Sequence, residues 1–317
     1  MKKPDFGWKL KFILWMHQKN LLSKQLVDGM SISDARKKSN ANINLAYRLF
    51  TQKPHVAHVS DHIINGCPAR VYRNSDAPLQ TVMLNFHGGG MALFDLEVDD
   101  YNCRRYCVEN NCTVVNASYR LAPENAYPAA HNDAWAAFEW LHEHIEMLHG
   151  DPHKVVVIGG SAGGNLAGFI AHKAAKKIRH PNLAAQILIY PWVDMDSAPY
   201  PSAQLYGDKN YILSLSDINW FAQSYCQNPN DFNDPSVNLI KQTDFSKLAP
   251  ALVFSAECDI LRDQDAAYAR KISDAGVLVR YLEYKDNVHG FHSITFALKK
   301  PNQFFDDVRA FMHELSL

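Results

Sequence analysis

No stretch of the chain approaches the ~20 apolar residues that a membrane-spanning helix needs. An excess of one charge sign is also missing. The 32 Lys and Arg stand against 33 Asp and Glu, a net charge of −1, so no broad basic field points to nucleic acid or to an anionic membrane surface. Cysteine is scarce: six in 317 residues do not make a disulfide framework in a chain of this size. Cys103 and Cys107 lie four residues apart, but no second pair completes a zinc set, so no metal is expected. Free thiols fit a reducing compartment, and a cytoplasmic location is the expectation. Repeats and low-complexity segments are absent.

The start of the chain lacks an uninterrupted apolar core. Met1-Lys2-Lys3 precedes an apolar stretch at 12–16, but Lys9 and Lys11 divide it and no small-residue cleavage site follows. It reads instead as an amphipathic helix with Trp8, Phe12, Trp15 and Met16 partly on one face; packing on the protein's own body is favoured over covering a lipophilic substrate entrance or touching a membrane surface.

What is present is a clear alternation of elements. Residues 1–50 are helical, with Ser33 a candidate helix cap. Segments 55–64 and 69–73 alternate like a hairpin turning near Asn65-Gly66. Short apolar strands follow at 81–86, 113–118, 155–158, 185–190, 251–256 and 277–284. Helical stretches at about 97–109, 132–147, 163–177, 263–275 and 302–315 separate them. This pattern predicts an α/β fold with a mostly parallel central sheet flanked by helices. Residues 194–230 break the rhythm with Pro199, Pro201, Gly207 and Pro229 and one aromatic helix around 218–225. The expected division is therefore N-terminal cap helices at 1–50 and a core at 51–317, with a cap insertion at about 194–230.

The densest chemical signal is the run Val155-Val156-Val157-Ile158-Gly159-Gly160-Ser161-Ala162-Gly163-Gly164. It reads as a buried strand, a sharp turn and a helix, the arrangement that leaves a serine hydroxyl bare at a strand end. The pattern Gly-x-Ser-x-Gly alone would arise by chance about 0.1 times in such a chain at average composition, so it needs partners. A dinucleotide loop is excluded because glycine would have to stand at Ser161, and a phosphate loop because no Gly-Lys-Ser/Thr follows.

Ligands of open parallel sheets bind at the carboxyl ends of the strands. Read in order, those ends are His87-Gly88-Gly89-Gly90, Ser161, Glu257-Cys258-Asp259 and His289-Gly290. A serine, an acid and a histidine appear in that order, the order of the α/β-hydrolase scaffold. Ser161 is then the nucleophile, His289 the base that takes its proton, and Asp259 the group that orients the imidazole. The amides of Gly88, Gly89 and Ala162 would hold the negative oxygen of the tetrahedral intermediate.

Together with Asp95-Leu96-Glu97, Tyr119-Arg120-Leu121-Ala122-Pro123-Glu124, Pro128-Ala129-Ala130, Asn165-Leu166-Ala167, Tyr190-Pro191, Asp259-Ile260-Leu261-Arg262-Asp263 and His289-Gly290-Phe291, these motifs resemble the hormone-sensitive-lipase-like esterases, the bacterial family IV of the α/β-hydrolase fold. The resemblance runs from about residue 80 to 295. It implies a carboxylic ester hydrolase with a helical cap, a small-molecule ester substrate, no metal or organic cofactor, and by analogy a homodimer through the edge strand near 277–284. One position departs from the family: Gly160 stands where an aspartate usually precedes the serine.

Rival readings attach to several residues. Asp263 competes with Asp259, and His292 with His289; strand-end position and the His-Gly-Phe match favour Asp259 and His289. His87 is read as a tie for the glycine loop. Asp95, Glu97, Asp99 and Asp100 are read as a carboxylate-rich helix start rather than a metal site. Tyr119, Arg120 and Glu124 are read as scaffold. Phe94, Trp192, Tyr211, Trp220 and Phe221 are candidates for an acyl pocket. At the level of function, an esterase for small to medium acyl esters stands against an amidase or deacetylase with the same triad, and against a non-catalytic receptor on the same fold like the plant gibberellin receptors, which lack the triad histidine.

Overall fold

The structure, a computed structural model, describes residues 4–19, 30–176, 183–209 and 211–317. Among these residues one sheet of eight strands holds the chain together. The strands are β1 (His58–Ile64), β2 (Cys67–Arg73), β3 (Gln80–Phe86), β4 (Thr113–Ala117), β5 (Gly150–Gly160), β6 (Ala185–Ile189), β7 (Ala251–Cys258) and β8 (Val279–Val288). Their spatial order is β1-β2-β4-β3-β5-β6-β7-β8. β2 runs antiparallel to both its neighbours, and every later pairing is parallel.

The helices are α1 (Trp8–Gln18), α2 (Ile32–Phe50), α3 (Asp100–Glu109), α4 (Ala129–Glu143), α5 (Ala162–Ala175), α6 (Pro201–Tyr206), α7 (Leu215–Tyr225), α8 (Arg262–Asp274) and α9 (Gln303–Glu314). Successive side chains of a strand point to opposite faces, and the valine run of β5 divides accordingly. Val155 and Val157 join a core with Phe138 of α4, Ile170 of α5 and Tyr268 of α8. Val156 and Ile158 join a second core with Cys103 of α3 and Phe304 and Val308 of α9. Burial on both faces explains why these strands read as continuous apolar runs.

The element boundaries move where polar residues carry the structure. β5 begins at Gly150, ahead of the apolar run, and pairs there with Gln80 across a register irregularity. The stretch expected as a helix from 97 opens with a 3-10 turn, Leu96–Val98, before α3. The helical reading of 163–177 ends at Ala175, and residue 177 lies outside the described residues. α2 is capped by Ser31, whose side chain accepts from the amide of Asp34 at 3.1 Å, not by Ser33. The insertion holds α6 as well as α7, and α7 starts three residues earlier than 218–225 suggests, at a reciprocal cap between Ser214 and Asp217.

α1 turns its aromatic residues the other way from the expectation. Leu10, Leu14 and His17, spaced four and three apart, form the buried stripe, while Trp8 is 75% exposed and Phe12 and Trp15 about half exposed. The narrower stripe meets the body, while Trp8 and Phe12 edge a cavity beside the sheet. All six cysteines are buried and free. No helix among the described residues is long and apolar enough to cross a membrane.

Candidate active site

Ser161 lies between the end of β5 and the start of α5 with φ +57° and ψ −116°, a backbone state costly for any residue with a Cβ. The surroundings hold it there. Its amide donates to the Ile189 carbonyl at 2.9 Å, and its carbonyl accepts from Asn165 and Trp192 at 3.0 and 3.1 Å. The turn is so tight that a Cβ on Gly163 would lie 2.0 Å from the Phe86 carbonyl oxygen. That close approach of helix to strand explains glycine at this position.

β7 and β8 deliver the other two groups at the same sheet edge. Asp259 follows β7 and is buried; its Oδ2 accepts from His289 Nδ1 at 2.7 Å. Its Oδ1 accepts from the Leu261 amide at 3.0 Å, which fixes the carboxylate plane. With Nδ1 engaged as a donor, His289 Nε2 is left as the acceptor, and Ser161 Oγ lies 3.0 Å from it. Serine, histidine and aspartate thus form one hydrogen-bonded chain, as their strand-end positions predict. Ser161 and His289 are each 8% exposed, and both face the cavity in front of them.

The glycine loop after β3 closes one side. A Cβ on Gly88 would lie 3.0 Å from the Gly160 oxygen and 3.5 Å from Ser161 Cβ, so the loop backbone runs directly beside the serine. Gly89, at φ +104°, has no room for a side chain beside the Leu93 oxygen. Gly88 and Gly89 line the same cavity as Ser161, and Ala162 is the first residue of α5, with its amide beside the serine. His87 ties this loop down. It is fully buried, burial lowers its basicity, and its Nδ1 lies 2.8 Å from the Gly88 carbonyl, to which it donates. Tyr119 stacks on it at 4.4 Å and donates to the His87 carbonyl at 2.8 Å.

The rival residues have other partners. Asp263 Oδ2 accepts from the Ser202 amide at 2.7 Å and Oδ1 from Arg262 at 2.9 Å, joining α6 to α8. The acids near α3 meet protein donors: Asp95 accepts from Asn40, Glu97 from Arg70, and Asp100 from Lys53, Tyr72 and Arg104. Arg120 forms a two-pronged pair with Asp133, and Arg36 one with Glu124. Among the described residues no three His, Cys, Asp or Glu side chains are grouped to hold a metal ion.

The cavity over Ser161 has a volume of about 320 Å³ and a largely apolar lining. Of the five candidate aromatics, Phe94 and Phe221 line it. Trp192 is buried in the core and Tyr211 packs edge-on against Phe6; neither these nor Trp220 reaches the lining. Trp8, Phe12 and Met16 of α1, Ile43 and Phe50 of α2 and Ile218 of α7 add to the walls. Two groups at the site were not legible as such. Tyr190, at φ +35° after β6, sets its ring 4.5 Å from that of His289. Asp99 reaches the cavity through His292. The Tyr190-Pro191 pair after an apolar strand is the available signal for the first; Asp99 gives none that separates it from its acidic neighbours.

Residues 83–293 match the family described as alpha/beta hydrolase fold. The chain belongs to that family. Within it, this α/β-hydrolase is 36% identical over 274 residues to the carboxylic ester hydrolase LipN of Mycobacterium tuberculosis, covering 84% of this chain and 72% of that one. It is 37% identical to an ethyl acetate hydrolase of Pseudomonas putida over 71% of each chain. A hyperthermophilic esterase from the archaeon Pyrobaculum calidifontis superposes with a TM-score of 0.88 at 31% identity, covering 96% of this chain and 98% of that one. An ester hydrolase from the metagenome of Lake Arreo, solved with a phosphonate derivative, gives 0.88 at 30% identity over 97% and 98%. These likenesses set this α/β-hydrolase among the hormone-sensitive-lipase-like ester hydrolases.

Proposed function

We propose that the protein is a serine carboxylesterase that cleaves small to medium acyl esters through an acyl-enzyme on Ser161. The observation that carries this reading is the unbroken Ser161–His289–Asp259 hydrogen-bonded chain at the floor of an apolar cavity. Ser161 Oγ attacks the ester carbonyl carbon while His289 Nε2 takes its proton. Asp259 holds the ring in the required tautomer and stabilises the imidazolium. The amides of Gly88, Gly89 and Ala162 receive the oxyanion. Collapse breaks the C–O bond to the alcohol, which leaves with the proton from His289. Water then attacks the acyl-enzyme with His289 as base, the acid departs, and Ser161 regains its proton.

The cavity lies at the small end of the range for ligand pockets, about 300–1,000 Å³, which supports short to medium acyl chains. Residues 1–50 and the insertion at about 194–230 serve as a cap, since α1, α2 and α7 all contribute cavity walls. A homodimer through the edge strand β8 and a cytoplasmic location complete the proposal; sedimentation of the purified protein and fractionation of the source cells test them. An amidase or deacetylase would use the same steps. The receptor reading is disfavoured because His289 is present and bonded to Ser161.

A panel of p-nitrophenyl esters of increasing chain length is the test. The expected result is turnover greatest on short to medium chains, abolished in a folded Ser161→Ala variant. A phosphonate probe should label Ser161 alone. Wild-type turnover no higher than that of Ser161→Ala at every chain length would reject the enzyme and favour the receptor.

A further inference from the structure

One buried polar cluster beside Ser161 has no part in these steps. His292 follows His289 by three residues, is buried, and faces the same cavity. Its Nε2 lies 3.4 Å from Asp99 Oδ1. Its Nδ1 meets the Tyr190 hydroxyl. Asp99 is also buried; Asn85 Nδ2 donates to its Oδ2 at 3.1 Å, and Asn102 Nδ2 to its Oδ1 at 3.4 Å. Burial alone would raise this carboxyl, yet the contacts from His292 and Asn85 hold it below its ordinary value, so Asp99 is an anion. An anchored anion fixes the imidazole from one side.

The other side of the ring meets the serine turn. A Cβ built on Gly160 would lie 2.8 Å from His292 Cε1, 3.2 Å from Nε2 and 3.4 Å from Nδ1. Gly160 is not among the glycines with positive φ, so its backbone could carry a side chain; only the imidazole stands in the way. Gly160 also pairs with Ile189 in the β5–β6 ladder, and Tyr190 follows directly. The Tyr190 ring is thus flanked by both histidines, with centroids 4.5 Å from His289 and 5.4 Å from His292.

The geometry points to His292, anchored by Asp99, as a positioning residue for the reaction: its ring fills the space beside Gly160 and holds Tyr190, and so fixes both the Ser161 turn and the surface on which His289 rests. Gly160 is glycine because the imidazole occupies the place of its side chain. The inference rests on the serine-esterase reading, and its test separates the two.

Four variants are compared with wild type on a p-nitrophenyl ester: Ser161→Ala, His292→Ala, Gly160→Ala and the double Gly160→Ala/His292→Ala, each checked for cooperative unfolding. Small displacements of reacting groups cost up to about 100-fold, so His292→Ala should lower kcat about 10- to 100-fold. KM should change less than kcat, since His292 is one of many cavity-lining residues but the one whose ring fills the space beside Gly160. Gly160→Ala should lose kcat likewise, because its methyl expels the ring. The double variant should be no worse than His292→Ala alone, because no ring remains to expel. Losses that multiply in the double variant would overturn the inference, as would a double variant that fails to fold while His292→Ala folds. So would a wild-type kcat in His292→Ala. If that kcat is found while Ser161→Ala is dead, the positioning role alone falls. If Ser161→Ala keeps its activity, the serine mechanism falls and the inference with it.

Discussion

Two aspartates four residues apart, Asp259 and Asp263, do different work because of what each oxygen meets. Both oxygens of Asp259 are committed, one to His289 and one to the Leu261 amide. It therefore selects the tautomer that leaves Nε2 free for the serine. Asp263 spends its oxygens on Ser202 and Arg262, joining α6 to α8. Asp259→Asn should leave the fold intact and lower kcat by about 10⁴, the cost of the wrong tautomer in a serine triad. Asp263→Asn should cost on the order of 1 kcal/mol of stability through its weakened hydrogen bonds, with kcat near wild type. Steady-state kinetics beside urea unfolding of both variants reads the contrast. Comparable kcat losses would mean that Asp263 orients the site as well.

At the scale of elements, the strand-to-helix turn between β5 and α5 carries the tightest constraint. A Cβ on Gly163 would stand 2.0 Å from the Phe86 oxygen and 2.7 Å from that of His87. Those are backbone atoms of β3 and its loop, which no rotamer change can move aside. Gly163→Ala must push α5 away from the sheet. Overpacking of this kind costs about 1–3 kcal/mol, and the glycine loop moves with it. Thermal unfolding should show a lowered midpoint and the ester assay a lowered kcat. A variant with wild-type stability would show that the turn has slack which the packing denies.

This turn also marks what the sequence made legible. The β-branched run, the glycines and the strand-end order of Ser161, Asp259 and His289 are local signals, and the strands, their parallel pairing and the meeting of these three side chains follow from them. Polar segments gave no such signal: β5 reaches back to Gly150, and the Ser214–Asp217 cap starts α7 early. The buried face of α1, Leu10, Leu14 and His17, was misplaced for another reason. Periodicity gives a helix a face but does not say whether the aliphatic or the aromatic stripe meets the body. Tyr190 follows β6, His292 follows β8 and Asp99 precedes α3, so no spacing in the chain announces their meeting.

At the scale of the whole molecule, buried neutral histidines tie the layers together and make stability depend on pH. His131 joins three elements: it sits on α4, its Nε2 lies 3.0 Å from Asn165 Oδ1 of α5, and its Nδ1 lies 2.7 Å from the Tyr225 hydroxyl of α7. His172 of α5 lies 2.8 Å from the Tyr268 hydroxyl of α8. Burial pushes both imidazoles down to about 4. In the unfolded chain each would take up a proton near its ordinary value of about 6.5. Their folded values are depressed, so the unfolded state binds protons first as pH falls. The stability linked to their neutral form is complete above about pH 6.5 and drains away between there and about pH 4. A depression of this size corresponds to a loss on the order of 3 kcal/mol per histidine. Urea midpoints measured from pH 7.5 to 4.5 should therefore fall steadily, beginning above the range in which carboxylates titrate. His172→Phe keeps an aromatic ring against Phe245 and Tyr268 but has no proton to take up. It should begin less stable at pH 7.5, through the lost bond to Tyr268, and then lose less than wild type on acidification. Parallel curves for wild type and His172→Phe across that interval would mean that His172 is not the group that takes up the proton, and the acid sensitivity would have to be sought at His131 and His87, whose basicity burial also lowers.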